Sequence, residues 1–189
     1  MLVELAVVAA FGAMLFWGVG DFLIQRCVRK IGTVECLAVI GLVGIIGLFP
    51  FIVNDLYALF LPENFSLLLG LGILTFIAAV LDFYALKIGK LGVIEFVLEI
   101  ELPVTVIFGV FLFREQLSAE QLILIAGAFI GIMLISLDKL SFKKEHFLEK
   151  GVMFAILAAL FMGAINYLTA ASARSISPLM AIWAPWLVF

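Results

Sequence analysis

The 189 residues are 66% hydrophobic and 13% charged, with a mean hydropathy of +1.33 and a net charge of −3. A soluble domain averages about 45–50% apolar and about 25% charged residues. The composition therefore excludes a water-soluble catalytic domain and a basic nucleic-acid-binding surface, and it places the chain in the lipid bilayer.

Crossing the hydrocarbon core takes about 20 apolar residues, and backbone groups in lipid must be satisfied internally, so runs of that length are helices. Spans are predicted at 5–25, 34–53, 66–86, 93–113, 119–138 and 151–172, with an incomplete one from 178. The first begins without Lys or Arg in residues 1–4 and is long enough to cross, so it reads as a retained helix rather than a signal peptide. It carries Trp17 and Asp21. Cys27 and Cys36 follow, nine apart and without a ligand-like partner, and read as two reduced thiols. No cofactor or metal site is expected. In the second span Gly41, Gly44 and Gly47 permit close backbone approach, either within the chain or at a dimer face.

The third span carries Asp82 near its end. The fourth holds Glu95, Glu99, Glu101 and Pro103. Ser118 and Gln121 have the spacing of a capping box opening the fifth helix, which contains Gly127 and Gly131. The longest polar stretch, 138–150, reads as a linker, and its His146 as a solvated loop residue. Trp183 and Trp186, in the unfinished last span, suggest an interfacial belt.

Sliding the chain by 145 residues pairs Phe16 with Phe161, Gly18 with Gly163, Asp21 with Asn166 and Arg29 with Arg174, with eleven identities over the forty pairs from 5/150 to 44/189. The sixth and seventh spans thus look like a second copy of the first and second. Five helices per copy is an odd number, so the second copy enters the membrane inverted, a construction common in secondary transporters. Loops after the odd spans hold nine of the eleven Lys and Arg residues, leaving only Arg114 and Arg174 on the other side. The positive-inside rule then places the odd loops in the cytoplasm and the N-terminus outside.

Tyr84-Ala85-Leu86, Gly89, Pro103 and Phe113-Arg114-Glu115, followed by Gly127 and Gly131 and preceded by Phe16-Trp17-Gly18, resemble the signature of the drug/metabolite transporter superfamily, EamA type. The resemblance divides the chain into a first five-helix repeat (1–138), a cytoplasm-side linker (139–150) and an incomplete second repeat (151–189). It implies an all-α, multi-pass cell-membrane protein, a truncated form of a ten-helix transporter. The family convention draws the N-terminus inside, opposite to the charge bias. The implied function is a secondary carrier, an exporter of small organic metabolites, amino acids or drugs, with proton coupling as one option. The alternative is a non-transporting remnant, or a half-transporter completed by a homodimer mate or other partner chain. A membrane-embedded enzyme would need clustered His, Cys or Ser–Lys chemistry at depth, which one loop histidine and two separated cysteines do not supply.

An ionisable residue at membrane depth is a functional hypothesis by default. Asp21 and Asp82 each fall about 6 Å before the cytoplasm-facing end of their helix, and Glu101 about 12 Å in. Interfacial pairing with Arg26, Lys87 or Lys90 is the ordinary expectation for Asp21, Asp82 and Glu95. In a continuous helix Glu99 and Glu101 lie about 200° apart and cannot share a cavity. Pro103 leaves the carbonyl of Glu99 without its usual donor and loosens that turn. Glu99 or Glu101 is accordingly expected to bind a proton or a cationic or zwitterionic solute. Tyr84, Trp17 and Asn166 complete the candidate pathway, with packing the alternative for Trp17 and an interhelical hydrogen bond the alternative for Asn166.

Overall fold

The computed structural model describes residues 2–112, 114, 116–137 and 151–189. The expected linker with His146, together with Phe113 and Glu115 of the family-like motif, lies outside the described residues. The rest is helical: α1 (Leu2–Lys30), α2 (Thr33–Ile52), a 3-10 segment (Val53–Phe60), α3 (Pro62–Ile88), α4 (Leu91–Leu98), α5 (Glu101–Leu112), α6 (Ala119–Leu137), α7 (Val152–Ser175), α8 (Pro178–Trp183) and a final 3-10 segment (Ala184–Val188).

Local chemistry sets the boundaries. Gly32, at φ 111°, turns the chain between α1 and α2 in a conformation that a side chain would strain. Pro62 and Pro178 occupy the first positions of α3 and α8, where a missing amide costs nothing. The expected capping box is present. The Ser118 amide donates to Gln121 Oε1 at 2.9 Å and the Gln121 amide to Ser118 Oγ at 3.2 Å. The helix bounds fall on the 145-residue offset: α1 ends at Lys30 and α7 at Ser175, while α2 begins at Thr33 and α8 at Pro178, 145 residues apart in both cases.

Among the described residues four helices are long and apolar enough to cross a membrane: Val7–Lys30, Thr33–Phe60, Pro62–Ile88 and Val152–Ser175. Pro178–Val188 is a shorter apolar stretch. The expected fourth span is not one helix. It breaks at Glu99 and Ile100 into α4 and α5, because Pro103 has no amide to continue the ladder. The carbonyl of Glu99 is nevertheless satisfied. It accepts from the Leu102 amide at 3.1 Å, one residue short of the α-helical pattern.

α7 is the central strut, packed along α3 and against α4, α5 and α8. Gly163 brings it so close to α5 that an added Cβ would strike Val104. A buried cluster at one end joins Val28, Leu37, Leu86, Ile94 and Ala155 from α1, α2, α3, α4 and α7. A second joins Ile52 and Leu68 to Met180, Trp183 and Ala184 of the last segment. That segment wedges between α2 and α3, where Gly41, Gly44 and Gly72 leave room for Phe189, Trp186 and Val188. The glycines of α2 thus serve packing within the chain at 41 and 44, while Gly47 meets nothing. The belt expected for Trp183 gives way to core packing. The residue is 4% exposed, and its Nε1 donates to the Ile45 carbonyl at 3.0 Å.

Candidate functional site

Polar groups concentrate where α1, α3 and the α4–α5 break converge. Asp21, Gln25 and Arg29 recur every fourth residue and form one stripe on α1. Gln25 Nε2 donates to the Leu86 carbonyl at 3.3 Å and to the Gly89 carbonyl at 3.5 Å, and Arg29 Nη2 donates to the Gly89 carbonyl. These bonds take up carbonyls at the end of α3 that the helix itself leaves unpaired. They also fix the register of the two helices. One turn before Gln25 stands Asp21, and one turn before Leu86 stands Asp82, and the two carboxylates act on each other electrostatically. Gln25 ends the first predicted span and Arg29 lies beyond it, in the stretch before the second, whereas the helix runs on to Lys30. The i, i+4, i+8 polar stripe was the signal for them.

The break brings in three more acids. Glu95 on α4 experiences the charges of Asp21, Asp82, Glu99 and Glu101, and Glu101 that of Glu99. The sequence argument that Glu99 and Glu101 cannot share a cavity assumed a continuous helix. The two-residue interruption at 99 and 100 removes that constraint. Through Glu95, on which the other four charges act, Asp21, Asp82, Glu99 and Glu101 are linked into one acidic layer.

Of the basic residues expected to neutralise this layer, Arg26 is engaged within α1 itself. The Arg26 guanidinium sits over the Phe22 ring, 4.7 Å from its centroid, and Arg29 is engaged by the Gly89 carbonyl. Asp82 Oδ1 is fully buried and, among the described residues, accepts no hydrogen bond, although the residue as a whole keeps some surface. A buried, unpartnered carboxylate oxygen is costly and calls for a ligand, a proton or a donor.

The remaining candidates divide. Pro103 sits in the first turn of α5 and accounts for the break. Tyr84 stacks edge-on against Phe154 of α7, with centroids 4.7 Å apart. Asn166 Nδ2 donates to Thr105 Oγ1 at 3.1 Å, and Thr105 Oγ1 in turn donates to the Glu101 carbonyl at 2.8 Å. Asn166 is thus an interhelical tie reaching the turn that follows Glu101, not a counterpart of Asp21 in use. Trp17 is 74% exposed, on a largely exposed part of α1, so among the described residues neither packing nor the acidic layer accounts for it. Among the described residues no group of three or more His, Cys, Asp or Glu side chains could hold a metal ion.

No curated protein and no solved structure matches the chain. The model of the EamA-like transporter family matches residues 4–137, a stretch holding every element from α1 to α6 and all five carboxylates. The family is one of transporters rather than enzymes, acting on small solutes across a bilayer. The chain is a multi-pass helical membrane protein of the drug/metabolite transporter superfamily and belongs to the EamA-like transporter family.

Proposed function

We propose that the protein is a secondary carrier that exports small organic solutes (amino acids, metabolites or drugs) across the cell membrane, with proton coupling through Glu99 or Glu101. The observation that carries this reading is the interruption between α4 and α5, with a carboxylate on each side of it. Discontinuous helices with irregular backbone at membrane depth are where carriers of inverted-repeat construction bind solutes and coupling ions. α7 braces the break through Gly163 and the Asn166–Thr105 bond, and it belongs to the segment that repeats α1. The break therefore lies where a first repeat (1–138) would meet a second (151–189). Glu99 and Glu101 are separately replaceable by Gln. In proteoliposomes, pH-gradient-driven uptake of labelled amino acids and organic amines is expected to fall at least tenfold in one of these variants. Unchanged transport in both contradicts the coupling role.

A second reading has its own observation. From Val7 to Leu23 most of α1 is open, with Phe16 80% and Trp17 74% exposed, while its last turns are clamped to α3. Such a face suits a helix from a homodimer mate or a complementary half. Chemical cross-linking in native membranes that yields only monomers argues against it.

A further inference from the structure

We infer that Asp82 is the anchor of a binding site for a primary or secondary organic ammonium group, with Asp21, Glu95 and Glu101 supplying the surrounding negative field. The inference deepens the carrier reading, on which it rests for its purpose, by naming the class of solute and a residue distinct from Glu99.

Geometry supplies the first argument. The hooks from Gln25 and Arg29 to the end of α3 hold the α1 stripe in fixed register, which sets Asp21 beside Asp82 one turn deeper. The acidic layer is thus constructed by specific bonds. The second argument is the orphaned acceptor: Asp82 Oδ1 has lost its water and found no donor. The residue as a whole keeps some surface, and χ2 is a soft torsion in Asp.

Charge supplies the third. Among the described residues, the charges that act on Asp82 are those of Asp21 from α1 and Glu101 from α5, both negative. From α4, Glu95 joins the same field. α2, α7 and the last 3-10 segment, which also pack on α3, add no charge to it. Like charges repel, and a cation bound at Asp82 is attracted by each of the others.

The chemistry of the cation follows. No group of these carboxylates has the geometry for a metal ion. A guanidinium is a planar fork that seeks two oxygens together, whereas an ammonium satisfies a single acceptor as a point donor. A quaternary ammonium has the charge but no N–H for Asp82. The site should therefore prefer n-butylammonium to tetramethylammonium.

Equilibrium binding of radiolabelled n-butylammonium and tetramethylammonium to the purified full chain in detergent tests this directly. Wild type is expected to bind n-butylammonium at least tenfold more tightly than tetramethylammonium. Asp82→Asn should weaken n-butylammonium binding at least tenfold, and Asp21→Asn and Glu95→Gln several-fold each. Equal binding of the two cations, or full binding by a folded Asp82→Asn, overturns the inference. Should Asp82→Asn fail to fold, unchanged binding in both Asp21→Asn and Glu95→Gln overturns it. Absence of n-butylammonium binding by wild type also overturns it. The transport test of Glu99 and Glu101 stands independently of that outcome.

Discussion

α1 and α7, which a 145-residue offset brings into alignment, are used in opposite ways. They share eleven identities with their following segments, and both end at the same place in the 145-residue register. α7 is packed along its length and braces α3, α4 and α5, whereas α1 touches the bundle only near its end. The difference sits in matched residues. Gly163 lies against Val104 and the Thr105 amide, but Gly18 has nothing within 4 Å. Asn166 ties α7 to α5 through a neutral hydrogen bond, while Asp21, on the corresponding turn of α1, adds its charge to the field at Asp82. α7 has the small, neutral residues of a strut, and α1 has an acid where it adds to the polar layer.

The comparison can be broken at several points. The largest effect is expected at Gly163→Val, which forces α7 off α5. Overpacking of this kind costs about 1–3 kcal/mol, read as a lower thermal midpoint in detergent, whereas Gly18→Val should leave the midpoint unchanged. Next comes the clamp. Gln25→Leu removes both donors to the Leu86 and Gly89 carbonyls in a buried setting and should cost about 1–2 kcal/mol. It should also loosen the Asp21–Asp82 register, lowering n-butylammonium binding along with stability. Asn166→Leu is expected to be mildest, because interhelical hydrogen bonds in membranes average about 0.6 kcal/mol. A loss at Asn166 larger than that at Gly163 would reverse the ranking and show polar ties, not close packing, to be the main support of α7.

Much of this was legible in the sequence, for identifiable reasons. Helix ends are written in Gly32, Pro62, Pro178 and the Ser118–Gln121 box, because local backbone chemistry decides them. Pro103 marked a weak turn, but whether a helix loosens or breaks depends on its neighbours. α7, which packs on both α4 and α5, is 50 residues away in the chain. The acids themselves stood out, being rare at membrane depth. Their convergence did not, because it depends on the α1–α3 register set by Gln25 and Arg29. Helices that are apolar all round carry little periodic signal, so the faces of Trp17, Trp183, Gly41 and Gly44 could not be assigned beforehand. Trp183 and Trp17 show the consequence: similar residues in similar spans, one 4% and the other 74% exposed.

The central claim is that the carboxylate layer of α1, α3 and the α4–α5 break does the work of the carrier, while α7 supports it. pH-gradient-driven uptake of n-butylammonium in proteoliposomes, compared across Asp82→Asn, Glu101→Gln and Asn166→Leu, tests that division most directly. Uptake lost at least tenfold in Asp82→Asn and Glu101→Gln, with most of it retained in Asn166→Leu, is the predicted result. Equal uptake by all three variants and wild type would contradict it.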